Sequence, residues 1–422
     1  MNVRVYNPVL VHFFSRRLLC NSVGNGRPFH NSEPGPSIPV EHKTKNFTTS
    51  NGSSLETTKS LLNEAVGYTD LVSSEIQDEW STPPYGPNVK LTHSQRRKGN
   101  REAIGIDGTD RSVLLFAGQG TQFVGMGRSL LDYPNVRQLY EMASDRLNYD
   151  LLDLSLNGPY EKLSRTIYAQ PAIFINSLAG IERVQEEFPK AIDNCIAVAG
   201  FSVGEFAALV FAGCLSVIDG IKLVHTRAKL MQDACNRVPS GLMTVFQTPQ
   251  SKLSRALDAA KHHIKSMGID SPVCQIANYL FPQCKVIGGH DQALQFIRDN
   301  AREFGLSARR MKRLPVSGAF HTPLMDSAID EFSDALAAVE LKSPKLEVYC
   351  NFTARPYSEN LTHMRRCLKK QFARVVRWEQ ILHELFDGYR ICPASYEIGP
   401  GSQLGTMLKN VNNIAGTRFP FQ

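Results

Sequence analysis

The sequence predicts an α/β protein, with a large domain built on a parallel sheet and a small subdomain set into it. Three observations carry this expectation. Short apolar runs that end in glycine alternate with helical stretches from residue 111 onward, the rhythm of a parallel sheet covered on both faces. Residues 239–315 switch to a β-α-β-β-α-β order, the ferredoxin-like pattern. The 422-residue length is also more than one small core needs.

The elements follow in chain order. Residues 1–32 hold Arg4, Arg16, Arg17 and Arg27, several serines and no acid, the composition of a mitochondrial transit peptide. Residues 33–110 are rich in Ser, Thr, Pro, Asn and charge with little periodicity. They read as a disordered linker with one short helix near 58–67. "SVLLFAG" (112–118) reads as a buried strand, 128–148 as a helix, "QPAIFINSLAGIERVQEEF" (170–188) as a helix and "IAVAGFS" (196–202) as a second buried strand. "GEFAALVFAGCLS" (204–216) follows as another helix.

In the small subdomain, "GLMTVF" is strand-like and 249–267 is helical. "CQIANYL" and "CKVIGGH" read as two strands around a Phe-Pro-Gln turn, 291–304 as a helix and "ARRMKRLP" as a closing strand. The chain then returns to the large domain, which the reading places at 111–238 and 316–422, with late strands "KLEVYCN" and "ASYEIGP".

Composition narrows the function. The net charge of +7 is modest and lacks the basic stripe of a nucleic-acid binder. No uncharged apolar run reaches membrane-spanning length. The nine cysteines form no C-x-x-C pair, so a zinc knuckle or redox motif is not expected.

"GFSVGEFAALVFAG" (200–213) places Ser202 in a G-x-S-x-G frame between a strand and a helix. That context makes a nucleophile elbow and gives the large domain a hydrolase-like character. Gly200 and Gly204 permit the cramped turn, and the helix N-terminus favours an oxyanion beside the serine, with the Val203 N–H as donor. A serine nucleophile needs a base. His321, in "VSGAFHTPLM" at the return from the small subdomain, lies where clefts form. No acid between Ser202 and His321 is a convincing partner for the imidazole, and a main-chain carbonyl could set its tautomer instead. "GQGTQFVGMG" lacks the P-loop lysine, so a phosphate loop is not expected.

"LLFAGQGTQFVGMG", "AQPA", "GFSVGEFAALVFAG", "HTRAKLMQ", "VSGAFHTPLM" and "YEIGPGSQLGTML" occur in the order found in malonyl-CoA:acyl carrier protein transacylases. Over about 111–415 the chain resembles the mitochondrial members of that family. The resemblance implies Ser202 as the malonyl-carrying nucleophile, His321 as its base, and Gln119 and Val203 as oxyanion donors. It implies that the main-chain carbonyl of Gln371, in "KKQFARVVRW", orients His321, although Val375 stands where the family usually has proline. Arg227 matches the arginine that binds the free carboxylate of malonyl. A guanidinium suits that task because it holds a carboxylate bidentately and penalises an acyl group lacking one. Gln170, Met231 and Phe320 join the substrate-binding set, and Phe320 would crowd an α-methyl group. Two further departures are Phe201, where bacterial relatives commonly have histidine, and Ala117, where proline is common.

The implied reaction is ping-pong transfer of malonyl from malonyl-CoA to the phosphopantetheine thiol of acyl carrier protein in the mitochondrial matrix, serving fatty acid synthesis. It needs no metal or redox cofactor, involves no nucleic acid or membrane, and is expected of a monomer. The acidic carrier would dock on a basic rim, either Arg309, Arg310, Lys312 and Arg313 or Arg365, Arg366, Lys369 and Lys370. Alternative functions are a serine thioesterase or lipase, and a non-catalytic malonyl-CoA-binding scaffold.

Overall fold

The structure is a computed structural model describing residues 106–419. The expected transit peptide (1–32), the linker up to residue 105 and the helix near 58–67 lie outside the described residues. The last five linker residues do not. Ile106–Asp107 form strand β1, and the linker expectation therefore ran too far. The other strands are β2 (Ser112–Phe116), β3 (Cys195–Gly200), β4 (Ser240–Phe246), β5 (Cys274–Phe281), β6 (Cys284–His290), β7 (Lys312–Arg313), β8 (Glu347–Tyr349), β9 (Val376–Arg377), β10 (Tyr389–Ile391) and β11 (Ala394–Ile398).

A four-stranded parallel sheet in the order β11-β2-β3-β8 forms the centre of the large domain. β2 is buried at every residue, as its unbroken apolar run requires. Helices Thr166–Glu187, Gly204–Phe211 and Val217–Arg237 pack around this sheet and share one apolar core with it. β1 pairs in parallel with β10 as a separate two-stranded ribbon.

The second sheet has five strands in the order β7-β4-β6-β5-β9. β4, β5, β6 and β7 pair antiparallel. Helices Leu253–Ser266 and Asp291–Asp299 cover one face, where Met243, Val245, Ala256, Ile264, Ile287 and Ile297 form a separate core. The other face, with Leu242, Ala277, Leu280 and Val286, joins the large core. The fifth strand, β9, comes from late in the chain and pairs in parallel with β5. A segment assigned to the large domain thus completes the small sheet.

Three further elements differ from expectation. The helix read over 128–148 is two pieces, a 3-10 turn at Arg128–Leu130 and an α-helix at Val136–Leu147. Between them Pro134 cannot donate its nitrogen to a helix, and Asn135 takes a left-handed φ of 63°. The helix read over 291–304 stops at Asp299 and continues as a 3-10 turn at Ala301–Phe304. "ARRMKRLP" opens on a 3-10 turn at Ala308–Arg310, and only the two residues of β7 pair with β4.

Candidate active site

The site lies beyond the carboxyl ends of β2, β3 and β8, where open parallel sheets place their clefts. Ser202 follows β3 directly and has a φ of 54°, left-handed for a residue with a Cβ. Its two glycines make that turn possible. A Cβ on Gly200 would stand 2.0 Å from the Gly204 carbonyl, and one on Gly204 would stand 2.3 Å from the Phe116 oxygen. The chain therefore crosses itself too closely at both positions for any other residue.

Ser202 Oγ lies 2.8 Å from His321 Nε2. His321 Nδ1 lies 2.9 Å from the Gln371 carbonyl oxygen. A carbonyl can only accept, so Nδ1 carries the proton and Nε2 is left to accept from the serine hydroxyl. His321 also has a left-handed φ, 59°, just ahead of a 3-10 turn at Pro323–Ala328 that Thr322 caps. Burial and the nearby Arg227 charge hold the imidazole down to about 3, against hydrogen bonds to the Gln371 and Arg374 main chain that favour its protonated form. The ring is a neutral acceptor at physiological pH.

Arg227 projects from the middle of the long helix Val217–Arg237 and is fully buried. Its Nη1 donates to Gln170 Oε1 at 2.6 Å, and its Nη2 donates to Ser202 Oγ at 3.0 Å and to Gln371 Oε1 at 3.1 Å. Its Nε has no hydrogen-bond partner among the described residues. Every acceptor it touches is neutral. Burial lowers the guanidinium to about 9, and the countering group is Glu205, whose own carboxyl burial raises well above the usual range.

Gln371 thus touches all three groups. Its carbonyl takes His321, its Oε1 takes Arg227, and its Nε2 donates to the Ser202 carbonyl at 2.8 Å.

The chain matches the family described as "Acyl transferase domain" over residues 113–410. The chain belongs to that family. It is 50% identical over 303 residues to the mitochondrial malonyl-CoA-acyl carrier protein transacylase of Homo sapiens, which covers 71% of this chain and 77% of that protein. Among solved structures it resembles the malonyl CoA-acyl carrier protein transacylase of Coxiella burnetii, with 30% identity, a TM-score of 0.64, and coverage of 73% of this chain and 93% of that one. It also resembles a malonyl-transacylase solved in complex with a type II polyketide acyl-carrier protein, with 30% identity, a TM-score of 0.64, and coverage of 72% and 94%.

In this acyl transferase the remaining anticipated residues sit one contact further out. Gln170 Nε2 donates to Gln119 Oε1 at 3.2 Å and approaches Met231 Sδ at 3.5 Å. The Gln119 side-chain amide donates to Thr166 Oγ1 at 3.2 Å. Thr166 Oγ1 lies 3.0 Å from Ser317 Oγ, linking the rim to the loop that carries His321. Phe320 is buried in the large core. Val203 is buried as the N-cap of the helix Gly204–Phe211, whose first N–H groups turn back onto the Phe201, Ser202 and Val203 carbonyls. Phe201 packs edge-on against Trp378, with ring centroids 5.5 Å apart.

Sequence reasoning passed over the groups behind the serine. Asn351 is fully buried and bonds the Ser202 turn. Glu205 is fully buried and accepts from the Asn351 N–H at 3.3 Å and the Tyr357 hydroxyl at 2.5 Å. An acid at the head of the apolar run "EFAALVFAG" was the available signal.

Neither basic patch is free throughout. Arg365 donates to the carbonyls of Leu336 and Val339, Lys369 pairs with Asp330 at 3.1 Å, and Arg313 pairs with Asp291. Arg366 and Lys370 are exposed on the helix Leu361–Ala373, which ends in Gln371's turn. Among the described residues no helix is long and apolar enough to cross a membrane, and no group of acids, histidines and cysteines could hold a metal.

Proposed function

We propose that this chain transfers the malonyl group of malonyl-CoA to the phosphopantetheine thiol of acyl carrier protein, through a malonyl ester on Ser202, in the mitochondrial matrix. The observation that carries the reading is one hydroxyl shared by a base and a buried cation. Ser202 Oγ is within hydrogen-bond distance of both His321 Nε2 and Arg227 Nη2. The mitochondrial relative at 50% identity supports the substrate pair and the compartment.

The chemistry follows from the contacts. His321 takes the serine proton as Oγ attacks the thioester carbonyl. The Ser202 N–H is already bonded to Asn351, and the Gln119 side-chain amide to Thr166. We assign the oxyanion to Gln119 and to the Val203 main-chain N–H. His321 then protonates the departing CoA thiolate. In the second half-reaction it deprotonates the pantetheine thiol, which attacks the ester.

Arg227 selects the acyl group. Three of its N–H donors are engaged and Nε is open. A buried guanidinium among neutral acceptors gains most from a carboxylate, which malonyl has and acetyl lacks. Gln170 and Met231 steady the cation, and Phe320 bounds the acyl pocket. A thioesterase or lipase reading calls for a side-chain acid on His321 Nδ1, and the partner there is the Gln371 carbonyl. The strand order of β4 to β7 supports treating 239–315 as a ferredoxin-like insert, roofing the site and helping exclude water from the ester.

The test is a chase experiment. Malonyl-CoA labelled in the acyl group should leave label on Ser202, and carrier protein should remove it as malonyl thioester. Ser202→Ala should take up none. Release of free malonate at the rate of transfer would sink the transferase reading.

A further inference from the structure

The β3–β8 ladder ends at Ala199, three residues before the nucleophile. Its paired residues are Ala197 with Glu347, Val198 with Val348 and Ala199 with Tyr349. Beyond Tyr349 the backbones separate, because β8 turns away and β3 enters the elbow. The next two backbone groups on the β3 side are the Gly200 carbonyl and the Ser202 N–H. Both are taken by one side chain. Asn351 Nδ2 donates to Gly200 O at 2.7 Å, and Asn351 Oδ1 accepts from Ser202 N at 2.7 Å.

A carboxamide carries an acceptor and a donor in one plane, so it can bond the C=O of residue i and the N–H of residue i+2 as a neighbouring strand would. Asn351 extends the sheet by a side chain into the one turn where Ser202 must hold a φ of 54°. The clamp is itself fixed. Its N–H donates to Glu205 and its carbonyl accepts from the Arg377 N–H at 2.9 Å.

Building on the malonyl–serine mechanism proposed above, we propose that Asn351 is a positioning residue that holds the Ser202 backbone so that its Oγ stays in line with His321 and its N–H stays out of the oxyanion site. Asn351 touches no substrate in this account. It acts through Ser202, and a displacement of about 1 Å at a nucleophile can cost on the order of 10²-fold in rate.

The discriminating variant is Asn351→Asp, which keeps the shape. Protonated, an aspartic acid offers the same acceptor and donor. Ionised, it has no donor for Gly200 O and sets a charge against that carbonyl. The titratable and charged groups around position 351 are Glu205, Tyr357 and Cys350, each pushed up by burial, Cys367 beside Cys350, Arg377 on the Asn351 carbonyl and Lys370 over the neighbouring Phe352 ring, with His321 and Arg227 across Ser202.

The measurement is the rate of malonyl transfer from malonyl-CoA to Ser202 in a rapid-quench experiment, for wild type and Asn351→Asp, from pH 5 to pH 9. The variant-to-wild-type ratio should fall as pH rises, by about tenfold or more across the range, while KM for malonyl-CoA stays within about threefold. Asn351→Ala should be slow at every pH. An Asn351→Ala rate within about twofold of wild type, or an Asp ratio that is uniformly low from pH 5 to pH 9, overturns the proposal. Labelling of wild-type Ser202 in the same assay tests the underlying mechanism separately.

Discussion

A single glutamine shows how much one position can do in this site. Gln371 orients His321 through its main chain and touches Arg227 and Ser202 through its side chain. Truncation separates the two functions. Gln371→Ala keeps the carbonyl and removes the amide, so Arg227 loses an acceptor and the base does not. We expect KM for malonyl-CoA to rise about tenfold, the scale of one hydrogen bond to a charged group, with the shape of the pH profile unchanged. A pH profile distorted with KM unmoved would contradict this division. Titration gives a second prediction. His321 is held down to about 3 and is already the free base at neutral pH, while Arg227 is lowered to about 9. Because kcat/KM reports the free enzyme, its value for malonyl-CoA should be flat from about pH 5 to 8. Above about pH 9 it should fall as Arg227 loses its proton. A thioester without a carboxylate should not show that alkaline fall. Ser202, His321 and Arg227, which the structure brings together, each lie in a compact motif. Asn351 was not legible in the sequence, because nothing local marks a polar residue whose partner is the backbone 149 positions away, and Glu205 showed itself only as an acid at the head of an apolar run.

Elements were legible where the chain punctuates itself. β2, β3, β5 and β6 are apolar runs bounded by glycine, proline or charge, and their bounds fall within a residue or two of those expected. β9 escaped notice because two residues make a strand only when β5 is already there to pair with. "ARRMKRLP" failed in the opposite direction, since its pairing with β4 covers only Lys312 and Arg313. The same late segment supplies a tertiary tie. Lys285 on β6 meets Glu379, two residues after β9, at 2.5 Å, with side chains 9% and 8% exposed. Lys285 Nζ also donates to the Phe281 and Pro282 carbonyls. Removing one member leaves the other charge buried and partly unpaired, which typically costs about 3–5 kcal/mol. Glu379→Ala should therefore lose about 3 kcal/mol in urea unfolding, the two carbonyls compensating part of the ammonium. A loss below about 1 kcal/mol would place the pair in effective contact with water.

At the scale of the whole molecule, the site sits where the two sheets meet, and that placement constrains how a carrier protein reaches it. The small sheet is joined to the large core by one whole face, by β9 and by the Lys285–Glu379 pair. These ties disfavour a small sheet that swings freely against the large domain. We propose that the acidic carrier docks through charge at the rim. The helix Leu361–Ala373 runs into the site at Gln371 and exposes Lys370 immediately before it and Arg366 about a turn earlier. Lys370 also lies over the Phe352 ring at 5.0 Å, next to Asn351. Reversing both charges, Arg366→Glu with Lys370→Glu, should raise KM for the carrier about tenfold. The effect should shrink as ionic strength increases. Acylation of Ser202 by malonyl-CoA should change by less than about twofold, since neither side chain touches Ser202, His321 or Arg227. The matching reversal at Arg309 and Arg310 is the comparison that locates the dock. If that pair raises the carrier KM and the helix pair does not, the carrier approaches over the small sheet. The two patches thus make a competition with one measurable winner.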